Sequence, residues 1–583
     1  TPMDLSPSPS LIATLGAGII VGLYLLYRAL LPKPIPGIPY NEASAGNLLG
    51  DIPAMMSHMA TTDGGTFITY FLQTMKTLNA PLIQVFVRPM SKPLLILGDF
   101  PEAHDILVRR SKDFDRSHTP GDLVLGLAPD HHIHLKTNAA WKAQRRLVQD
   151  LMTPSFLYNV AGPVIHQHVS IMVELWRAKS RIADGRPFAA AEDINQMALD
   201  AVTAFAFGQG FDHNATKPTL AAVRSMRLED KAGVAHMDPD QPVIFPRGEV
   251  DEALQATLDL TETVGQVQGN PVPSLTWAYM VRKPKIKRAI EIKEDYIRQE
   301  LVKGVERLQQ GGEMVVNSAV DQMIVRERSL AEKDGRQPDY FSRVIIDETF
   351  GFVFAGHETT STTLCWGLKF LADQPGAQSQ LRLALEAAFP AALAAGRSPS
   401  IQEITGSHIP YLDATMEEIL RCAGTAPVVD REALVDTEIL GHPIPKGTVV
   451  ACLGTGPSMM SPGFDIDQTR RSPSSQAAEK EGQFRSWDPA DMASFRPDRW
   501  IVHDEKGEHF NPMAGPQLSF GLGTRGCYGK RLVYLKMRTL LVSMVWNFEL
   551  LRCPPNLSGY QASLITTNEP KQCYVRLREI RRL

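Results

Sequence analysis

Cysteine is scarce in this chain, and no pair of cysteines has the spacing of a metal-binding motif. Six cysteines occur in 583 residues without a CxxC pair or a Cys/His pattern, which excludes a disulfide scaffold and a zinc module. The chain also lacks a basic excess, since Lys and Arg total 60, Asp and Glu total 64, and the net charge is −4. Nucleic acid is therefore not indicated as a partner.

The sequence also lacks internal repeats, Gly/Ser-rich linkers and the strand–helix alternation of a parallel sheet. Helical apolar periodicity dominates instead, over residues 140–151, 165–176, 189–207, 286–308, 343–372, 378–389, 411–423 and 530–546. Short β-branched runs predict strands at 82–87, 93–97 and 448–452. We therefore predict one large, mainly α domain of the α+β class over residues 41–583, carrying a polar, solvated insertion at about 465–485.

One long apolar run lies near the amino terminus. Residues 11–31 would span about 31 Å as a helix, which is enough to cross a bilayer once. The positive charges of Arg28 and Lys33 lie at and beyond the end of this run, which places the following chain in the cytosol. We predict a luminal segment (1–10), a transmembrane anchor (11–31) and a proline-rich connector (32–40), with a buried core helix as the alternative to the anchor.

The segment FGLGTRGCYG, residues 520–529, is a glycine-rich turn that delivers Cys527 to the start of a helix. Amides at a helix N-terminus favour a thiolate there and tune it as a metal ligand. Arg525 adds a fixed cation that is suited to meet a carboxylate of a bound group. Three glycines allow the backbone to approach a flat group closely: Gly521, Gly523 and Gly529.

The same turn spells GxGxxG at Gly521, Gly523 and Gly526, with Glu549 further along, and so superficially matches a dinucleotide-binding fingerprint. Only 57 residues follow Gly526, and no alternation of strands and helices surrounds it. A doubly wound domain has no room here, so we reject this interpretation.

The cysteine turn resembles the cytochrome P450 family, whose motif is Phe-x-x-Gly-x-Arg-x-Cys-x-Gly. Every fixed position of that motif is present: Phe520, Gly523, Arg525, Cys527 and Gly529. The resemblance implies a single P450-like domain in which these residues form the binding site of haem b. It also implies that Cys527 is the axial ligand of the haem iron.

Two further matches imply partners for the haem propionates. WKAQRR is similar to the family's Trp-x-x-x-Arg, which implies that Trp141 and Arg145 form hydrogen bonds to a haem propionate. Arg431, in PVVDREAL, occupies the position of another arginine that contacts a propionate in the family.

A structural network is implied by two segments that follow in the family's order. YLDATMEEILR resembles Glu-x-x-Arg and supplies Glu418 and Arg421, and FRPDRW supplies Arg499. Alone, a pair spaced by three residues is typical of an exposed salt bridge of little energetic value. The resemblance instead implies a buried Glu–Arg–Arg network near the cysteine turn.

The longest helical pattern contains AGHETT, residues 355–360, which resembles the family's Ala-Gly-x-Asp/Glu-Thr-Thr. The resemblance places Glu358 and Thr359 over the iron, where they would act as the catalytic proton relay. Hydroxyl-bearing and β-branched residues favour a widening or kink of this helix at Gly356. The expected substrate pocket includes Phe354, Ala355 and Val428.

The resemblance implies a membrane-bound monooxygenase of the endoplasmic reticulum that activates O2 with electrons from NADPH, delivered by a flavoprotein reductase. The sequence is similar to those of fungal microsomal members of the family that act in secondary metabolism, which hydroxylate, epoxidise or oxidatively couple small hydrophobic molecules. A basic face is expected either to dock the reductase or simply to be solvated: Lys142, Arg146, Lys530, Arg531 and Lys536. An O2-independent haem-thiolate isomerase or dehydratase, and a non-enzymatic membrane haem-binding protein, stay open as alternatives.

Overall fold

Helices form most of the fold in a computed structural model that describes residues 9–268, 270, 272–310, 316–505 and 507–582. The first helices are α1 (Pro9–Leu30), α2 (Glu42–Ala45), α3 (Ile52–Thr61), α4 (Phe67–Leu78), α5 (Phe100–Val108), α6 (Thr119–Val124), α7 (Ala139–Val148), α8 (Pro154–Phe156), α9 (Gly162–Ala183), α10 (Ala191–Phe207), α11 (Thr216–Arg224) and α12 (Leu228–Ala235). They are followed by α13 (Glu252–Gln268), α14 (Pro273–Met280), α15 (Pro284–Gln310), α16 (Ala319–Asp334), α17 (Arg343–Asp373), α18 (Pro375–Ala388), α19 (Pro390–Ala394), α20 (Ile401–Gly406), α21 (Pro410–Ala423), α22 (Pro473–Lys480) and α23 (Lys530–Asn547). The structure is 56% helical, which confirms the mainly α prediction.

The strands are short and mostly antiparallel. They are β1 (Leu82–Val85), β2 (Leu94–Leu97), β3 (Phe114–Asp115), β4 (Phe188–Ala189), β5 (Val428–Ala433), β6 (Thr437–Ile439), β7 (His442–Ile444), β8 (Val449–Leu453), β9 (Ile501–Asp504), β10 (Gly507–Phe510), β11 (Phe548–Leu551), β12 (Ala562–Leu564), β13 (Asn568–Pro570) and β14 (Tyr574–Glu579). One sheet has the order β1-β2-β8-β5-β3, in which only β2 and β8 are parallel. The order β11-β14-β4 forms a second sheet, and β6–β7, β9–β10 and β12–β13 are hairpins.

The long helix α17 runs through the middle of the main hydrophobic core. Its N-cap is Ser342, whose hydroxyl accepts a hydrogen bond from the amide of Ile345, and Pro375 follows soon after its end. It packs along α10, and α23 contacts both α9 and α17. The helix continues as an α-helix through Gly356, and the hydroxyls of Thr359 and Thr360 bond to carbonyls one turn earlier in the same helix.

The proline-rich connector packs onto the body of the domain. Ile35 and Ile38 are buried, and the side chain of Gln84 in β1 bonds to both of them. Its amide nitrogen donates to the carbonyl of Ile35 at 2.9 Å and to that of Ile38 at 2.7 Å. Packing against the body therefore begins at Ile35, before the predicted boundary at residue 41.

The prediction that residues 465–485 are solvated throughout is wrong at Arg471. This guanidinium is 7% exposed and forms a buried ion pair with Asp99, at the N-cap of α5. The hydroxyls of Ser472 and Ser474 donate to Asp105 at 2.6 and 2.9 Å. The side chains of this segment are polar and show no apolar periodicity, so their burial could not be predicted. They bond to the carboxylates of Asp99 and Asp105 and so hold α22 against α5.

The predicted anchor corresponds to α1. The described large side chains of this helix are exposed, among them Ile19, Ile20 and Leu23. Of the helices within the described residues, none meets the length and hydropathy needed to span a bilayer. The anchor over 11–31 therefore stays a prediction, and residues 1–8 of the predicted luminal segment lie outside the described residues.

Candidate active site

The cysteine turn is held by its own backbone and by α5. The amide of Cys527 donates to the carbonyl of Phe520 at 2.7 Å, and the amide of Gly526 donates to that of Gly523 at 3.0 Å. Gly523 has φ +68°, and a Cβ there would lie 2.1 Å from the carbonyl oxygen of Leu107. This glycine is therefore needed for the turn to pack on α5, whereas no protein atom lies within 4 Å of a Cβ built at Gly529.

Cys527 is the one exposed cysteine among the described residues. Surrounding protein raises the pKa of its thiol by desolvation, while backbone amides of Gly529 and Lys530 and the guanidinium of Arg116 act in the opposite direction. Amides at the start of α23 thus point at the sulfur, as the sequence predicted. A coordinated metal ion deprotonates such a thiol outright, so this donor set suits an iron ligand.

Four arginines converge beside the cysteine turn: Arg116, Arg145, Arg431 and Arg525. Burial, together with the positive charges of the other three, lowers the pKa of Arg525 to about 9, with Asp115 acting against them. The Nε atom of Arg116 is buried and has no hydrogen-bond partner. A cluster of buried and half-buried cations with an unsatisfied donor fits a bound dianion, which the two propionates of haem b provide.

Trp141 supports this cluster as an aromatic platform. Its indole is 8% exposed, and the Cζ atom of Arg525 lies 4.7 Å from the centre of its ring. Arg145 lies over the ring of Tyr528, the residue after Cys527, at 3.7 Å. The helix α7, capped by Asn138, therefore brings both predicted propionate partners to the cysteine turn.

The AGHETT segment of α17 lies near the same turn. The ring of Phe352 is 6.2 Å from that of Tyr528, which fixes this part of α17 beside the cysteine. Ala355 is exposed, and the hydroxyl of Thr359 donates to its carbonyl at 2.7 Å. Thr359 is thus held within its own helix on the same face as Ala355.

The carboxyl group of Glu358 is directed at the hairpin β12–β13. The hydroxyl of Thr567 donates to its Oε1 atom at 3.4 Å, and its Oε2 atom is buried without a hydrogen-bond partner. Burial and, to a smaller extent, the charge of Glu569 raise the pKa of Glu358 to about 7, against the opposing effect of the hydroxyls of Thr566 and Thr567. A carboxyl with a pKa near 7 is suited to proton transfer at neutral pH.

The expected pocket residues lie in two places. Phe354 is half-buried on α17 and stacks on Phe350, with ring centres 6.3 Å apart, next to the exposed Ala355. Val428 is half-buried at the first position of β5, the strand that also carries Arg431. These expected pocket residues are therefore contributed by one helix, α17, and one strand, β5.

Glu418, Arg421 and Arg499 form one buried network. Arg421 donates to both carboxylate oxygens of Glu418 at 2.8 and 2.7 Å, and Arg499 donates to Oε1 at 3.0 Å. The indole of Trp500 and the amide of Arg496 complete the shell of donors, at 2.9 and 2.7 Å. Arg421 also donates to the carbonyls of Met459 and Met492, which ties α21 to the loops on either side of the polar segment.

Sequence reasoning missed Arg116 and misplaced Lys536. Arg116 follows the short strand β3 without any motif, so nothing in the sequence marked it. Lys536 is 4% exposed and cannot belong to a docking face, because its ammonium donates to the carbonyl of Gly356 inside the domain. The other four residues of the expected basic face, Lys142, Arg146, Lys530 and Arg531, are exposed.

Comparison with known proteins agrees with this geometry. The family model described as "Cytochrome P450" matches residues 52–456 and 490–573, which leaves out the polar segment. Cytochrome P450 monooxygenase TRI13 of Fusarium sporotrichioides is 42% identical, with 96% of this chain and 98% of that protein covered. Cytochrome P450 monooxygenase GME11363 of Pestalotiopsis microspora is 37% identical over 99% of both chains. The crystal structure of the cytochrome P450DA heme domain superimposes with a TM-score of 0.65 at 18% identity, covering 94% of this chain and 99% of that one.

Proposed function

This chain belongs to the cytochrome P450 family and is a monooxygenase, and on that premise we propose that it oxidises a small hydrophobic molecule of fungal secondary metabolism with O2 and electrons from NADPH. A flavoprotein reductase is the proposed electron donor. The observation that carries the proposal is the exposed thiol of Cys527 beside four arginines, of which Arg431 and Arg525 are buried and Arg116 and Arg145 are half-buried. The proposed outcome is hydroxylation, epoxidation or oxidative coupling.

The residues present fit haem b. Cys527 would ligate the iron, and the propionates would neutralise the cations of Arg116, Arg145, Arg431 and Arg525. The haem would supply reductive activation of O2 and oxidation of the substrate, with the thiolate favouring O–O cleavage. The protein then has three tasks: to hold the thiolate, to exclude water from the apolar pocket, and to deliver protons from Glu358 and Thr359.

The experiment that tests this function is expression of the chain in a host with a matching reductase, followed by mass spectrometry of extracted metabolites. We expect new compounds that have gained one oxygen or lost two hydrogens relative to host or fed precursors. A product that forms without NADPH would favour the isomerase alternative. Bound haem without any product would favour a haem-binding protein.

Thr359→Ala is expected to uncouple electron consumption from product formation. Reduction of O2 consumes protons, and an apolar pocket offers few donors, so loss of this hydroxyl would divert electrons to hydrogen peroxide. Haem content and substrate affinity are expected to stay unchanged. The ratio of product formed to NADPH consumed measures the effect, with Thr349→Ala as the control, because the buried Thr349 makes the same kind of bond, to the carbonyl of Ile345, ten residues earlier on α17. Equal coupling in the two variants would remove Thr359 from the relay.

The pH dependence of coupling is expected to follow Glu358. Its pKa of about 7 lies above the ordinary 4.5, so the carboxyl carries a proton below pH 7 and loses it as the pH rises. Coupled product formation should therefore fall roughly tenfold per pH unit above 7 if this proton limits the reaction. In Glu358→Gln the coupling should be low and flat between pH 6 and 8. A wild-type slope that persists in this variant would assign the titration to another group.

We also propose that α1 anchors the protein in the endoplasmic reticulum membrane, with the body in the cytosol. The exposed apolar side chains of α1 support this, and so does the positive charge at its end. The exposed Lys142, Arg146, Lys530 and Arg531 would then face the reductase. Carbonate extraction of membranes containing the chain without residues 1–31 tests the anchor, and retention of this shortened chain in the pellet would contradict it.

A further inference from the structure

Lys536 is a buried cation without a carboxylate partner. Two other buried lysines have one: Lys179 lies 2.7 Å from Asp193, and Lys293 lies 3.4 Å from Glu294. Among the described residues, no carboxylate lies within ion-pair distance of Lys536, and its hydrogen bond is to the Gly356 carbonyl at 2.8 Å. Because burying an unpaired ammonium group is costly, a lysine at this position calls for a specific role.

The bond from Lys536 joins the two helices that carry the chemistry. Lys536 lies nine residues after Cys527 on α23, and Gly356 lies three residues before Thr359 on α17. Burial lowers the pKa of Lys536 to about 7. The titratable group that faces it is His357, which is also buried, and whose own pKa is lowered to about 4 by burial and by the charge of Lys536. Because Lys536 and His357 are both bases and supply no negative charge, the carbonyl dipole of Gly356 is the group that stabilises the ammonium.

Gly356 lies where α17 packs closely on α10. A Cβ at this residue would come within 2.7 Å of Val202 on α10, so only a hydrogen fits on that side. Its carbonyl accepts from Lys536 and also from the hydroxyl of Thr360, at 3.0 Å. The preceding carbonyl, that of Ala355, accepts from Thr359 at 2.7 Å. Two consecutive carbonyls of one helical turn are thus engaged by side chains.

We propose that Lys536 is a positioning residue for the proton relay: its ammonium holds the Gly356 carbonyl and so fixes the turn of α17 from which Thr359 donates. Without this donor, the Gly356 carbonyl has only bonds from its own helix, and the turn that carries Thr359 is no longer tied to α23. The hydroxyl of Thr359, which rests on the Ala355 carbonyl at 2.7 Å, then turns toward the pocket from a less fixed position. This inference rests on the proposed function, because it concerns the same relay.

The test compares three variants of the purified haem-containing protein. Lys536→Met removes the donor at similar length, Lys536→Gln keeps an N–H donor on a shorter side chain, and Lys369→Met is the control. Lys369 is also a buried lysine of the core, on α17 itself, but it faces Tyr560 and not Gly356. The absorption of the reduced CO complex, which reports thiolate ligation, is expected to be unchanged in all three.

The first measurement is hydrogen–deuterium exchange of peptides that cover residues 355–360, which needs no substrate. Loss of a charged hydrogen bond should speed exchange there about tenfold in Lys536→Met, less in Lys536→Gln, and not at all in Lys369→Met. The second measurement is the product formed and the peroxide released per NADPH. We expect the product formed per NADPH to fall most in Lys536→Met, less in Lys536→Gln and not in Lys369→Met, while the affinity for substrate stays unchanged.

Three results would overturn the proposal. One is wild-type exchange and coupling in Lys536→Met, and another is an equal effect in Lys369→Met. The third is loss of haem from both Lys536 variants, which would show that this lysine serves only the stability of the core. If the wild-type protein itself forms no product, the proposed function fails, and the exchange experiment alone decides whether Lys536 shapes α17.

Discussion

Cys527→Ala is expected to abolish the red-shifted absorption band of the reduced CO complex, which reports a thiolate on the iron. The reason lies in the surroundings of the sulfur: it is exposed, amides of Gly529 and Lys530 point at it, and cations surround it. No other cysteine of the described residues combines these features. The variant is expected to lose all monooxygenase activity, since electron donation by the thiolate is required for O–O cleavage.

The remaining five cysteines are the matched controls for this variant. Four of them are buried and one is half-buried, and none follows a glycine turn: Cys365, Cys422, Cys452, Cys553 and Cys573. Replacing each by Ala should leave the band in place, at the modest stability cost of a small core truncation. A band retained in Cys527→Ala, or lost in one of the others, would show that the ligand has been assigned to the wrong sulfur.

Arg421→Ala and Arg499→Ala are each expected to prevent accumulation of stable haem protein. Both guanidinium groups bond to Glu418, which is fully buried, so removing either leaves a buried carboxylate short of a partner. Breaking a buried ion pair in this way costs about 3 to 5 kcal/mol, which is a large part of the stability of most domains. The yield of soluble haem protein and its thermal unfolding temperature measure the effect.

Arg496 provides the control for the network. It lies in the same segment as Arg499, but its side chain is 55% exposed and only its backbone amide contacts Glu418. Arg496→Ala keeps that amide and removes only a surface ion pair, so we expect haem content and unfolding temperature to stay near the wild-type values. Wild-type haem incorporation in Arg421→Ala and Arg499→Ala would contradict a structural role for the network.

The helices and the cysteine turn could be predicted from the sequence because their signals are local. The apolar period of α17, α21 and α23 follows from packing one face against the core, and the glycines of the turn follow from its backbone angles. Glu418 and Arg421 are three residues apart on one helix, but Arg499 could be joined to them only through the family resemblance, since it is far along the chain and no local pattern links it to them.

Burial of charged groups could not be predicted in the same way. Lys536 has the sequence context of an exposed helix position, and Arg471 lies in a stretch without any apolar period. Both are buried because a distant partner accepts their hydrogen bonds: the carbonyl of Gly356 for Lys536 and the carboxylate of Asp99 for Arg471. The direction of the Glu358 carboxyl depends likewise on Thr567, more than two hundred residues away.

The most direct test of this account is the dependence of product formation on O2, NADPH and Cys527 in one experiment. Membranes containing the protein and a reductase are incubated with the precursor identified by metabolite comparison, in air and under argon, with and without NADPH. We expect a product with one added oxygen or two fewer hydrogens only in air with NADPH, and none from Cys527→Ala under any condition. Product formed under argon without NADPH would contradict a monooxygenase and establish an O2-independent rearrangement instead.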